Sequence, residues 1–323
     1  MKTGTKTLLL LALALTCIWV GLVVGSTDVG SGDLLDLLTG KHNESARLLI
    51  MDVRLPRTLT AFTVGGLLAL SGLLLQALLR NPLADPYVLG ISGGASLGAL
   101  LAIVIGFGMT ATHISAFSGA MLSMFLVFSL GRIRSGSDAI GLLLTGVIVA
   151  AGWGALISLV LVTGSDTSIQ GMLFWLMGDL SHARQYSISA TVLVVGTVMA
   201  WTLAQPLNLA VQGDRVVAAL GTHPQRLRYA IYFLASILTG TAVSLAGNIA
   251  FVGLVVPHLM RLAGVTDHRI LVPQVVLLGG SLLLISDTLA RSIIAPQQLP
   301  VGIITAFLGV PVFLYLLIKS RQQ

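Results

Sequence analysis

Charged residues are scarce in this chain. Asp, Glu, Lys and Arg make up 9% of its 323 residues, against roughly a quarter in a soluble domain. So few charges cannot cover a water-soluble fold of this length, because 55% of the residues are apolar and the mean hydropathy is +0.96. Lysine is rarer still: Lys2, Lys6, Lys41 and Lys319 are the only four, and none follows a G-x-x-x-x-G loop. The chain therefore has no P-loop with which to hydrolyse ATP. A single cysteine, Cys17, excludes an intrachain disulfide and a thiolate metal framework. The net charge of +6 comes from basic residues scattered singly, without a block or interleaved aromatics, and this excludes a nucleic-acid surface.

What is present is a series of apolar runs, so the expected fold is an all-α polytopic membrane protein forming a single transmembrane domain over 1–323. Ten spans are predicted, at 7–24, 58–79, 94–108, 114–131, 140–162, 188–203, 229–245, 250–264, 270–290 and 301–318. The first follows Lys2 and Lys6 as a secretory signal would, but it is as long as a bilayer is thick and is read as a spanning helix. With the N-terminus inside, the inner side receives Lys2, Lys6, Arg80, Arg132, Arg134, Arg215, Arg226, Arg228, Arg261, Arg269, Lys319 and Arg321. The outer side receives Lys41, Arg47, Arg54, Arg57, Arg184 and Arg291, while acids such as Asp28 and Asp52 also fall there. The positive-inside rule then places both termini in the cytoplasm.

Two segments are too polar or too short to span. SIQGMLFWLMGDL, at 168–180, carries Trp175 beside Asp179 and is predicted to lie as a helix on the outer surface. NLAVQGDRVVAALGTHPQRLR, at 208–228, is the one long polar stretch on the inner side. It is predicted to form two short helices, the first from Asp214 to Leu220, with Gly221 as a left-handed turn. Thr222 is the expected cap of the second, completed by Gln225 as a capping box, with Pro224 in the first turn. Between the second and third spans, RNPLADPYVLGISGGASLG interrupts the apolar pattern. Pro82 and Pro86 stop the helix there, Asp85 is expected in water, and Gly90, Gly93, Gly94 and Gly98 suit close helix packing. GLLLQALLR, at 72–80, echoes GLVVPHLMR, at 253–261, which is either an internal repeat or coincidence in a Leu- and Gly-rich chain.

Few groups within the spans could carry chemistry. Asp287 is the clear intramembrane carboxylate, and Arg291, four residues on, can pair with it on one helix face. A lone pair of this kind is thin support for an ion-coupled secondary transporter, which needs ionisable groups near mid-membrane. GISG, at 90–93, matches the GxSG of intramembrane serine proteases, with Ser92 as nucleophile and His258 on a later span, but small-residue packing explains it as well. His258 could also be a ligand or a packed, hydrogen-bonded histidine, and no metal-binding cluster surrounds it. RLPR puts Arg54 and Arg57 three residues apart at the outer start of the second span. With Arg291 they would form an exposed docking site for carboxylates of a partner protein, or serve as interfacial anchors.

Several segments together resemble the permease subunit of type II ABC importers, which take up cobalamin, ferric siderophores and haem. They are RLPR at 54–57, SGLLLQALLRNPLADPYVLGISGGASLGA at 71–99, MGDL at 177–180, AALG at 218–221, GNIAFVGLVVPHLMRLAGVTDHR at 247–269 and LPVGIITAFLGVPVFLYLL at 299–317. The resemblance implies a type II importer fold of ten spans in a bacterial inner membrane, working as a homodimer. It implies two separate ATP-binding cassette subunits, which would hold ATP and Mg, so that this chain binds no cofactor and is not itself an enzyme. It implies a periplasmic or lipid-anchored substrate-binding protein, whose acidic residues would meet Arg54, Arg57 and Arg291. The helix pair docking into the ATPase maps onto Asp214, Ala218, Ala219, Leu220, Gly221, Thr222, His223 and Pro224. The resemblance also implies a cytoplasmic gate at the loop carrying Asn81 and Leu83, which is otherwise only a connector. THPQ after AALG, and QQLP at 297–300, depart from the usual pattern and weaken any transfer of the substrate.

Overall fold

The computed structural model describes residues 3–25, 31–39, 44–135, 139–181, 183 and 186–320. Lys2, Asp28, Lys41, Arg184 and Arg321, which entered the charge comparison, lie outside them. Backbone polar groups in a bilayer must find partners within the chain, and helices provide them here. In order they are α1 (Thr3–Val23), α2 (Ser31–Thr39), α3 (Glu44–Leu48), α4 (Leu55–Leu79), α5 (Ile91–Ile105), α6 (Met109–Ser135), α7 (Ala139–Thr163) and α8 (Asp166–Leu176). There follow α9 (Tyr186–Thr202), α10 (Ala204–Ala210), α11 (Asp214–Ala219), α12 (Pro224–Ala246), α13 (Val252–Leu262), α14 (His268–Ser292) and α15 (Val301–Ser320). A π-helical stretch, Leu49–Arg54, joins α3 to α4.

Among the described residues, six spans are long and apolar enough to cross a bilayer: α1, α3 running on into α4, α6, α7, α12 and α14. The pair α9 and α10, bent by 61°, makes one more, and α5, α13 and α15 are shorter apolar helices. The ten predicted spans all fall on these elements, and the third and eighth are indeed short.

Helix α4 is the axis of the subunit. Nearly every residue from Arg57 to Leu78 is buried, because α9, α12, α13 and α14 all pack around it. Apolar side chains gain little by leaving lipid for protein, so close backbone approach and interhelical hydrogen bonds carry the association. A Cβ on Gly72 would lie 1.9 Å from the carbonyl oxygen of Gly253 in α13, and one on Gly65 would lie 2.3 Å from that of Gly279 in α14. Ser71 Oγ donates to Ala235 O at 2.9 Å and lies 2.6 Å from Thr239 Oγ1, while Thr63 Oγ1 lies 2.6 Å from Ser189 Oγ. The two echoing segments thus cross each other at their glycines.

The interruption after α4 is more than a surface connection. Arg80 ends the helix in a left-handed conformation (φ 49°), and the chain turns back into the bundle. Pro86 comes to lie beside Gly253 and opens a short 3-10 turn, Pro86–Leu89. Non-helical backbone at this depth needs partners in the protein. Asp85 supplies one by accepting from Tyr87 N at 2.8 Å, so it is a capping residue rather than a side chain left in water. The Tyr87 hydroxyl donates to Ile249 O at 2.8 Å and accepts from Ile249 N at 3.0 Å. Ser123 Oγ donates to Gly90 O at 2.7 Å and itself accepts from Trp153 Nε1 at 2.8 Å.

Two predicted segments are corrected. The outer helix is α8, which ends at Leu176, and the chain then enters the subunit instead of staying on its surface. Gly178 (φ 82°) turns it, Asp179 N donates to Ala246 O at 2.9 Å, and Met177 O rests against Gly302 of α15. In the polar segment the second helix is not short: α12 begins at Pro224 and runs unbroken to Ala246. Its N-cap is His223, in extended conformation and without a side-chain cap, so Thr222 and Gln225 form no capping box. The reason is Pro224, which takes the first helical position and forces the residue before it out of the helical region.

Candidate functional site

The end of the subunit that carries α11 presents a small knob. Thr222 N donates to Val217 O and Gly221 N to Ala218 O, both at 3.1 Å, and Gly221 has φ 79°. This is a Schellman closure, which needs a residue comfortable in the left-handed region. Val217 is buried and pins the knob, while Ala218, Ala219, Leu220, Gly221 and His223 face outward. Leu220 is 62% exposed at the tip. Apolar side chains held this far out by a rigid turn suit insertion into a partner's groove.

The base of the knob is tied to the spans through charge. Asp214, the first residue of α11, pairs with both Arg80 and Arg228. Arg80 also donates from Nε to Ala210 O at 2.9 Å. One carboxylate therefore joins the end of α4, the start of α12 and the knob. Beside it, Asn81 Oδ1 accepts from Leu83 N at 2.9 Å, and Ala84 N donates to Asn81 O at 3.1 Å, making a tight turn that leaves Leu83 exposed. Gln76, one turn before Arg80, is a hub that sequence reasoning missed. Its Nε2 donates to Ala84 O, Gly253 O and Leu254 O at 3.2–3.3 Å, and its Oε1 accepts from Arg261. A lone amide inside GLLLQALLR was the available signal, since polar groups in a span are costly and need partners.

At the opposite end the three arginines do converge, but they are not exposed. Arg54, Arg57 and Arg291 are 3%, 8% and 5% exposed, and the expectation of free guanidiniums is corrected accordingly. Arg57 donates from Nε to both oxygens of Asp287 at 3.1 Å and from Nη2 to Oδ1 at 2.8 Å, with Nη1 on Gln298 Oε1 at 2.7 Å. Arg291 Nε lies 3.2 Å from Asp287 Oδ2, so the predicted pair within α14 is present. Arg54 donates to Leu22 O at 2.8 Å and Val23 O at 2.6 Å, and Arg291 to Gly21 O at 3.2 Å. The physical reason is the end of α1: its last carbonyls have no helical partner, carry partial negative charge, and draw in the guanidiniums.

GISG is packing. A Cβ on Gly93 would lie 2.8 Å from Trp153 Cβ of α7, and just beyond the motif one on Gly94 would lie 2.3 Å from Gly119 O and one on Gly98 2.3 Å from Ser115 O, so the start of α5 is pressed against α7 and α6. Neither ring nitrogen of His258 has a hydrogen-bond partner among the described residues, and Ser92 is not joined to it. No group of three His, Cys, Asp or Glu side chains able to hold a metal occurs among the described residues.

Comparison with known proteins agrees with this geometry. A cobalamin import permease of Halobacterium salinarum, BtuC, is 40% identical over 282 residues, spanning 86% of this chain and 75% of that protein. The hemin transport permease HmuU of Yersinia pestis is 37% identical over 312 residues, spanning 94% and 93%. A solved structure described as an inward-facing conformation of a metal-chelate type ABC transporter superposes with a TM-score of 0.89 at 29% identity, over 98% of this chain and 99% of that one. The profile of the FecCD transport family matches residues 10–319, almost end to end, and the chain belongs to that family.

Proposed function

We propose that this chain is the membrane-spanning permease of an ATP-driven importer, moving a metal chelate such as cobalamin, haem or a ferric siderophore inward. Two copies would enclose the path, and the α11 end would face the cytoplasm, where two ATP-binding cassette subunits hold the ATP and Mg. A substrate-binding protein would deliver the chelate at the opposite end. There, Arg54, Arg57 and Arg291 hold the ends of α1, α4 and α14 in register beneath the docked protein. The observation that carries the reading is the knob. A helix, a left-handed glycine and a second helix lift Leu220 off the bundle, and Asp214 connects that lever to α4 and α12. Closure of the paired ATPases would push the knob and move these helices as rigid bodies. Leu83, on its hydrogen-bonded turn beside Arg80, would close the inner mouth.

The test uses the exposed tip. Leu220→Asp should abolish co-purification of the ATPase subunits and chelate uptake while the chain still inserts and unfolds at its usual temperature. Retention of both would refute the coupling assignment. ATP hydrolysis by the isolated chain would refute the division of labour.

A further inference from the structure

A pocket of about 620 Å³ opens at the α11 end, between the end of α4, the turn after α10, the end of α13 and the start of α14. Arg80, Gln212, Arg261, Thr266, Asp267 and His268 stand around it. Its charge balance is uneven. Arg261 donates to the neutral amide of Gln76, and among the described residues it pairs with no carboxylate. Arg80 must share Asp214 with Arg228. The one acid on the wall, Asp267, is already engaged: its Oδ1 accepts from Asn208 Nδ2 at 2.8 Å and from Arg269 N at 3.0 Å, capping α14. His268 is 4% exposed, with Nδ1 held 2.6 Å from Asn208 Oδ1 and Nε2 without a partner among the described residues.

Two guanidiniums that are short of carboxylates, beside neutral donors in an open pocket, suit an anion with several acceptor oxygens. The pocket lies at the ends of spanning helices, where basic clefts meet lipid headgroups. We propose that this pocket binds a phosphate group at Arg80 and Arg261, either the phosphodiester of an anionic lipid or a soluble phosphate. The site is separate from the knob's exposed tip, and its test reads binding to the chain alone, so it stands or falls independently of the import reading.

The test is thermal unfolding of the full-length chain in phosphatidylcholine nanodiscs. One arm replaces part of the lipid with phosphatidylglycerol; the other adds inorganic phosphate against chloride at matched ionic strength. The wild type should gain roughly 3 °C or more from at least one of them, as a ligand that binds only the folded state does. A gain with phosphatidylglycerol alone identifies a headgroup site, and a gain with inorganic phosphate a soluble-anion site. Gln212→Glu, an exposed rim substitution that leaves the packing untouched, should remove the gain. Arg261→Gln should do the same, whereas Arg261→Lys should keep most of it. No gain in the wild type under either condition, or an equal gain in Gln212→Glu, overturns the proposal.

Discussion

Asp287 is fully buried and accepts from Arg57 while lying against Arg291, so its charge is needed where water does not reach. Removing one partner of a buried ion pair costs about 3–5 kcal/mol, because the remaining charge has lost its counter-ion. Asp287→Asn should therefore lower the unfolding temperature sharply, and the second change Arg57→Gln should recover part of the loss. An unchanged unfolding temperature in the single variant would show that the cluster is slack. The sequence located this pair correctly from its four-residue spacing. It did not disclose that Arg54 and Arg57 are buried, because the groups that claim Arg54 are backbone carbonyls of α1, some thirty residues away, and Arg57's partner lies on α14. Carbonyls leave no mark in a sequence.

Helices were readable by length and hydropathy, and the knob by Gly221 and Pro224. Depth was not. The stretch 81–90 has the turn residues of an ordinary surface loop, and distant partners, Gln76, Ser123 and Ile249 among them, hold it inside the bundle. The same limit applies to the crossing of α4 and α13, where the echo of GLLLQALLR in GLVVPHLMR hinted at kinship but not at contact. A methyl group on Gly72 would overlap the Gly253 carbonyl, and that backbone cannot swing aside as a side chain could. Gly72→Ala should cost about 1–3 kcal/mol, the usual range for overpacking, seen as a lower unfolding temperature of the detergent-purified chain. Gly4, with nothing near it, is the control: Gly4→Ala should leave that temperature unchanged.

Across the whole molecule, the polar groups gather at the two ends and the middle is held by small residues. On the import reading, the α11 end is where force enters, and Asp214 is where it divides between Arg80 and Arg228. Asp214→Ala should leave assembly with the ATPase intact while uptake falls and ATP hydrolysis no longer responds to the loaded binding protein. In a double-mutant cycle with Arg80→Ala the losses should not add, since both variants break one connection. Additive losses would mean that the pair merely decorates the surface. The architecture followed from the resemblance and the span pattern. This connection could not, because 134 residues separate Arg80 from Asp214 and only the folded chain brings them together.

The arginines around the end of α1 also bear on how the subunit is made. Gly21, Leu22 and Val23 lie in the last turn of α1, and side-chain donors from Arg54 and Arg291 reach their carbonyls. During synthesis the first span is threaded long before the ninth exists. Arg54 can reach the Leu22 and Val23 carbonyls once the second span is in place, but the Gly21 carbonyl must stay hydrated, or lean on the insertion machinery, until residue 291 arrives. The last of these carbonyls is thus met only near the end of translation, when α14 packs against α1 and α4.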